Sequence, residues 1–315
     1  MKKVLYPILA VVLFLVVQTF AGIGMAIFEI IKNPDLFHQM KGGDPNEVMN
    51  VFFSDESLAW ALIISDIVIV GIIALLKMVN WKTVLNFQMI EWRWGAISIL
   101  GAIFGIFILG IMEEYLHLPN EMEDVFTNLS NSLVGALSIA ILGPIAEEFI
   151  FREGILGYML RGGMNKWVAI TASALVFGII HLNPAQVPFA AGIGFIFGII
   201  YYKTGNIVIT SILHILNNSV AVWQMYLMGD AAKDFSLTEE LGTATIAAVI
   251  ICGSLCIIQL TKFWKYYQSK QEFNFYSATN EINLIVEEPT NEINLFAEQT
   301  TDDINLNSQN NETVL

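Results

Sequence analysis

Eight apolar stretches, at about 5–28, 57–76, 95–112, 131–160, 167–183, 187–202, 206–226 and 241–261, limit the fold more than any other feature. A helix rises about 1.5 Å per residue, so about twenty apolar residues cross a hydrocarbon core roughly 30 Å thick. The pattern predicts an all-α polytopic membrane protein of about eight transmembrane helices, the fourth long for one crossing. Composition agrees, because only 14% of residues are charged, against about 25% in soluble domains. Mean hydropathy is +0.62. Met1-Lys2-Lys3 followed by apolar residues imitates a secretory signal, but the run from Leu5 to Phe28 outlasts a signal h-region. It reads as a retained first span.

The net charge of −14 says little about partners, since nine of the 29 acidic residues lie beyond Gln271 in a polar tail. Nothing resembles a nucleic-acid patch. Cys252 and Cys256 lie four apart in an apolar segment and read as small residues on one helix face. Gly101 with Gly105, and Gly194 with Gly198, have the spacing that lets helices approach closely.

Orientation follows from Lys and Arg. With the N-terminus inside, an eight-span arrangement puts twelve basic residues on or near the inner side and leaves Lys32, Lys41 and Lys233 outside. The outer loops are acidic. Both termini are therefore expected in the cytoplasm, with the chain in a plasma membrane, in contact with its lipids. The divisions expected are 1–126 for spans one to three, 127–228 for a core of spans four to seven, 229–270 for the last span and its basic flank, and 271–315 for a tail. In that tail Thr279-Asn-Glu-Ile-Asn-Leu284 recurs as Thr290-Asn-Glu-Ile-Asn-Leu295 and, varied, as Thr301-Asp-Asp-Ile-Asn-Leu306. The composition reads as disordered; a cytoplasmic partner for repeats 279–306 is the alternative.

Three polar insertions break the apolar runs. Glu147, Glu148 and Arg152 lie in the fourth span, Phe177-xxx-His181 ends the fifth, and His214-xxx-Asn218 lies in the seventh. Counted along ideal helices from the inner ends, Glu148, His181 and Asn218 all come to about 20 Å depth, with His214 near 16 Å. Arg152 is the i,i+4 neighbour of Glu148, while Glu147 projects about 100° away and can address a different partner. A charged side chain at the bilayer centre costs about 2.5–3.5 kcal/mol, so two glutamates and an arginine cost on the order of 8–10 kcal/mol unless paired or hydrated. A purely structural Glu148–Arg152 pair would leave His181, His214 and Asn218 unexplained. A buried polar site between spans four, five and seven is expected. Glu113, Glu114 and His117 have ligand-like spacing but read as a solvated outer loop, and His38 has no evident partner. Asp66 is a true intramembrane charge whose role stays open.

These motifs, in this order on successive spans, resemble the CPBP family of intramembrane proteases, which includes the type II CAAX prenyl endopeptidases and the bacterial Abi, bacteriocin-processing group. The likeness covers about 130–225, and "GPIAEEFIFREGI" is similar to the family's first motif almost residue for residue. Glu153 departs from it, standing where glycine is usual; little consequence is expected. The resemblance implies an endopeptidase in which Glu147 and His181 polarise water, and His214 and Asn218 donate to the oxyanion. Glu148 and Arg152 would hold the constellation, Glu148 also serving as a second acid, and Phe177 would pack the wall. The substrate implied is a hydrophobic or lipidated peptide, and the bacterial branch adds precursor processing or self-immunity.

A zinc-dependent version would draw ligands from His181, His214 and Glu147 or Glu148. The sequence lacks a local His-Glu-x-x-His arrangement, and the resemblance leans to a mechanism without a cofactor. A transporter using Glu, His and Asp66 as an ion path predicts polar groups strung from side to side, whereas here they cluster. A non-catalytic immunity protein would be free to lose the motifs. A retained N-terminal helix fits a bacterial membrane.

Overall fold

The computed structural model of the chain describes residues 2–32, 34, 55–87, 90–232 and 235–269. His38, Lys41, Lys233 and the 271–315 tail with its repeats lie outside the described residues. The helices are α1 (Lys2–Lys32), α2 (Asp55–Leu75), α3 (Trp92–Leu116), α4 (Glu123–Ser130), α5 (Leu133–Arg161), α6 (Lys166–Ile179), α7 (Gln186–Thr204), α8 (Val208–Met228), α9 (Leu237–Leu241) and α10 (Ala244–Ser269). There is no strand among the described residues.

Each of the eight expected stretches is helical, but the expected count of eight crossings is not established. Six helices, α1, α2, α3, α5, α7 and α10, are long and apolar enough to cross a membrane. Helix α6 has only 14 residues, and α8 carries the polar insertion of His214, Asn217 and Asn218. The all-α polytopic architecture itself is as the sequence predicts.

Small residues set the close packing. A Cβ on Gly105 would come within 2.7 Å of Ile196 and 3.2 Å of the Cys256 sulfur, so α3 presses directly on α7 and α10. A Cβ on Gly194 would meet the Ala174 backbone at 3.2 Å, which brings α7 onto α6. Both glycine pairs, and Cys256, thus act in packing.

Basic and aromatic residues gather at one end of the bundle. Trp94 stacks on Tyr266 with ring centroids 4.2 Å apart, and Trp167 on Trp264 at 5.4 Å. The Lys203 ammonium lies 3.8 Å over Trp264. Such aromatic and cationic clusters are typical of a membrane–water boundary. The acidic residues Glu113 and Glu114 sit at the other end of α3. They occupy its last turn rather than a loop, as the sequence suggested. Glu114 accepts from the backbone N–H groups of Leu237 (2.9 Å) and Thr238 (2.8 Å), and so caps α9. His117 is the left-handed C-cap of α3, with φ of 46°.

Helix α5 is the centre of the structure and is not wound evenly. Ser138–Leu142 and Phe149–Gly157 are π-helical. The first widening stands immediately before Pro144, whose ring would clash with the carbonyl four residues earlier in a regular helix. The second is buried along its whole length. Wider winding displaces carbonyls from the helical ladder, and in an apolar bundle those groups need other donors. Neighbouring side chains supply them: Asn218 donates to the Ile139 carbonyl at 2.9 Å, and Ser173 to the Phe151 carbonyl at 3.2 Å. Arg161 donates to the Glu153 carbonyl at 3.1 Å.

Candidate active site

The site is built around one imidazole. His214 is buried on α8, and its Nδ1 lies 3.2 Å from Glu148 Oε1 while its Nε2 lies 3.6 Å from Glu147 Oε2. The sequence suggested that the two adjacent glutamates address different partners. They instead approach opposite nitrogens of the same ring, because α8 packs against the Gly143–Glu148 turn of α5. Both carboxylates reach it from consecutive positions.

Glu148 is fully buried, and both its oxygens are committed. Arg152 Nε donates to Oε2 at 3.0 Å, across the expected i,i+4 spacing, and Oε1 faces His214. Arg152 is likewise inaccessible. Its guanidinium carbon lies 4.9 Å over the Phe177 ring and 5.7 Å over Phe197, so two aromatic faces hold the cation. Its two terminal nitrogens have no hydrogen-bond acceptor among the described residues. Glu147 differs, with its side chain 24% exposed. Of the two carboxylates, it is the one water can reach.

Phe177 ties the second histidine to the first. Its ring stands edge-on to His181 at 5.1 Å and to His214 at 5.8 Å. His181 lies in the turn beyond α6, not within the helix as the count along the fifth span suggested. The backbone N–H of His181 turns to the Gly178 carbonyl, which leaves the Phe177 carbonyl without its usual helical donor. The His181 ring takes that place, Nδ1 lying 2.7 Å from Phe177 O. A carbonyl oxygen only accepts, so Nδ1 carries the proton and Nε2 presents a lone pair. Asn218, one turn beyond His214, accepts from Asn217 and donates to Ile139, with its second amide proton uncommitted.

Two residues gain importance that the sequence did not give them. Asp66 on α2 is 8% exposed and faces the turn that carries the glutamates: a Cβ on Gly143 would lie 3.9 Å from its Oδ2. It is close enough to Glu147 for charge–charge interaction. The site therefore reaches α2 as well as spans four, five and seven. Glu153, whose departure from glycine was expected to matter little, is a fully buried hub. It accepts from Arg161 Nη1 at 2.6 Å, Tyr201 Oη at 2.6 Å and the Asn80 backbone at 2.8 Å. A glycine could not tie α5 to α7 and to Asn80 beyond α2 in this way. The only sequence signal was a third glutamate, one residue beyond Arg152, in an apolar run.

Each imidazole holds its Nδ1 proton on an oxygen and leaves Nε2 forward, an arrangement that metal ligands share with general bases. Among the described residues, however, no three His, Cys, Asp or Glu side chains stand where they could hold a metal ion. As placed, the donors do not fit a zinc site, and no chemical step is derived through one.

Residues 129–220, which contain all the motif residues, match the family model for Rce1-like type II CAAX prenyl endopeptidases. The likeness is that of a segment of 92 of the chain's 315 residues. Among curated relatives, the membrane-embedded CAAX protease MroQ of Staphylococcus aureus (strain USA300) is 30% identical over 100 residues, 30% of this chain and 40% of MroQ. YdiL of Bacillus subtilis (strain 168), by name a candidate membrane peptidase, is 28% identical over 171 residues, 52% of this chain and 70% of YdiL. No solved structure matches significantly.

Proposed function

We propose that the chain is an intramembrane endopeptidase that hydrolyses a peptide bond with water activated by Glu147. The observation that carries this reading is the unequal environment of the two glutamates: Glu148 is sealed between Arg152 and His214, while Glu147 is accessible and faces His214 Nε2. The likeness of residues 129–220 to CAAX prenyl endopeptidases supports the same class of reaction.

In this mechanism Glu147 takes a proton from water as the oxygen attacks the scissile carbonyl, and His181, with its Nε2 lone pair forward, polarises the same water. The carbonyl oxygen gains the negative charge. His214, held through Nδ1 by Glu148, turns Nε2 to the reacting centre and, with a proton there, donates to the oxyanion beside the free Asn218 proton. Glu147 then returns its proton to the departing nitrogen, the carbon–nitrogen bond breaks, and a carboxylic acid and an amine leave, the acid passing its proton to the amine. Glu148 and Arg152 act by position, and Phe177 packs Arg152 and both rings. No metal enters any step.

The substrate class proposed is a hydrophobic or lipidated peptide, cut near its C-terminus, in a bacterial plasma membrane with the basic end of the bundle and both termini in the cytoplasm. The test compares the peptides in membranes containing the wild-type chain with those containing Glu147→Ala, with and without strong chelator. Peptides that depend on Glu147 and persist in chelator support the reading. A peptide pool indifferent to Glu147 overturns it, and loss of cleavage in chelator returns the zinc version.

A further inference from the structure

A groove of about 420 Å³ runs between the N-terminal part of α5 and the C-terminal half of α8. Ala136, Leu137 and Ala140 form one wall, and Ser219, Val222 and Trp223 the other. Its inner end is the hydrogen bond from Asn218 to the Ile139 carbonyl, since Ser219 and Ala140, the next residue on each helix, both line the groove. Beyond that bond each wall leads to the site. His214 lies one turn past Asn218 along α8, and Glu147 two turns past Ile139 along α5. The outer end adjoins Ser130, where the acidic helix α4 finishes, so the groove opens toward the acidic end of the bundle.

We propose that this groove seats an apolar peptide segment adjoining the bond to be cut, received from the acidic end. The seat rests on the protease reading for its purpose, but its chemistry is its own. The walls are mostly carbon, which suits an apolar chain within the membrane. Ser219, half-buried, and Asn131, exposed at the rim, also line the groove, and among the described residues neither side chain has a hydrogen-bond partner. An extended peptide brings backbone N–H and C=O groups that such side chains can pair. An acyl chain brings none. The volume falls within the roughly 300–1,000 Å³ usual for ligand sites, enough for a short run of side chains and too small for a whole helix. Trp223 and Tyr226, 63% and 61% exposed, border the groove. Their partly polar rings suit a segment that passes from the boundary region into the apolar interior.

The test uses the full chain in detergent with Glu147→Gln, so that bound peptide is not consumed. The probes are a short leucine–alanine peptide with a central benzophenone-alanine, and palmitate bearing the same group. The expected result is photocrosslinking of the peptide to 136–140 of α5 and 219–223 of α8. Val222→Trp or Ala136→Leu, filling the groove from opposite walls, should lower that yield on the order of tenfold with no change in the unfolding midpoint. Peptide label spread evenly over the exposed faces of α1 and α10 overturns the proposal. So does palmitate that takes the groove and displaces the peptide. Crosslinking in the groove, with no cleavage of the peptide by the wild-type chain, upholds the seat and overturns the protease reading instead.

Discussion

Consider removing the charge of Glu148 with Glu148→Gln. Glu148 and Arg152 are both fully buried, joined by a single contact of 3.0 Å. The change keeps the shape and leaves the guanidinium with two ring faces, while its terminal nitrogens already lack acceptors. Stranding one member of a buried ion pair costs about 3–5 kcal/mol. Arg152→Met should cost a similar amount, because it strands the carboxylate. Replacing both removes two buried charges together, and the double variant should lie within about 1 kcal/mol of the wild type. The coupling between the sites is then about 5 kcal/mol or more, far above the 0.2–1 kcal/mol of exposed pairs. Unfolding of the four purified proteins in mixed micelles titrated with dodecyl sulfate measures it. Hydrolysis provides the separate readout: the stable double variant should still lose about 10–100-fold, because His214 no longer has a charged partner at Nδ1. A coupling below about 0.5 kcal/mol would refute the claim that this pair is desolvated.

Glu147→Gln should lower peptide hydrolysis by about 10²–10⁴-fold while leaving the unfolding midpoint in place, as initial rates beside the dodecyl sulfate titration would show. Asn218→Ala should cost about 10²–10³ in kcat if its free proton meets the oxyanion; an unchanged kcat would leave it a purely structural latch on Ile139. Tyr201→Phe removes one hydrogen bond to a buried carboxylate and should lower stability by about 1.5–3 kcal/mol, with hydrolysis per folded molecule preserved. Gly105→Leu should destabilise by about 1–3 kcal/mol or prevent folding, because its Cβ already meets Ile196. Gly24→Ala, where a Cβ meets nothing within 4 Å, should stabilise by about 0.5–1 kcal/mol in the same titration.

What could be read before the structure was whatever depends on local spacing. Apolar length located eight of the ten helices, though not how many of them cross the membrane, and the four-residue intervals Glu148–Arg152 and His214–Asn218 put each pair on one face. Convergence of the glutamates on one ring was not legible, since it depends on how α8 crosses α5. The winding of α5 left only Pro144 as a trace; no residue pattern announces a π turn. His181 was expected inside a helix because the apolar run continues past Ile179. The chain turns there once Nδ1 replaces a backbone donor, which needs coordinates to see. Asp66 is remote in sequence from every motif, so no spacing rule could attach it to Glu147.

Charge accounting along α5 then narrows the chemistry. The helix carries three carboxylates, Glu147, Glu148 and Glu153, and two guanidiniums, Arg152 and Arg161. Glu148 pairs with Arg152, and Glu153 with Arg161. Both pairs are satisfied by geometry that would have to be broken before either acid could handle a proton. Glu147 alone has no arginine, and it is the one of the three with appreciable exposure. Asp66 places a second carboxyl group beside it, where a bundle built only for stability would place a cation. A carboxylate kept without an arginine or lysine in an apolar helix costs folding free energy, and the arrangement is intelligible when that group has a proton to take.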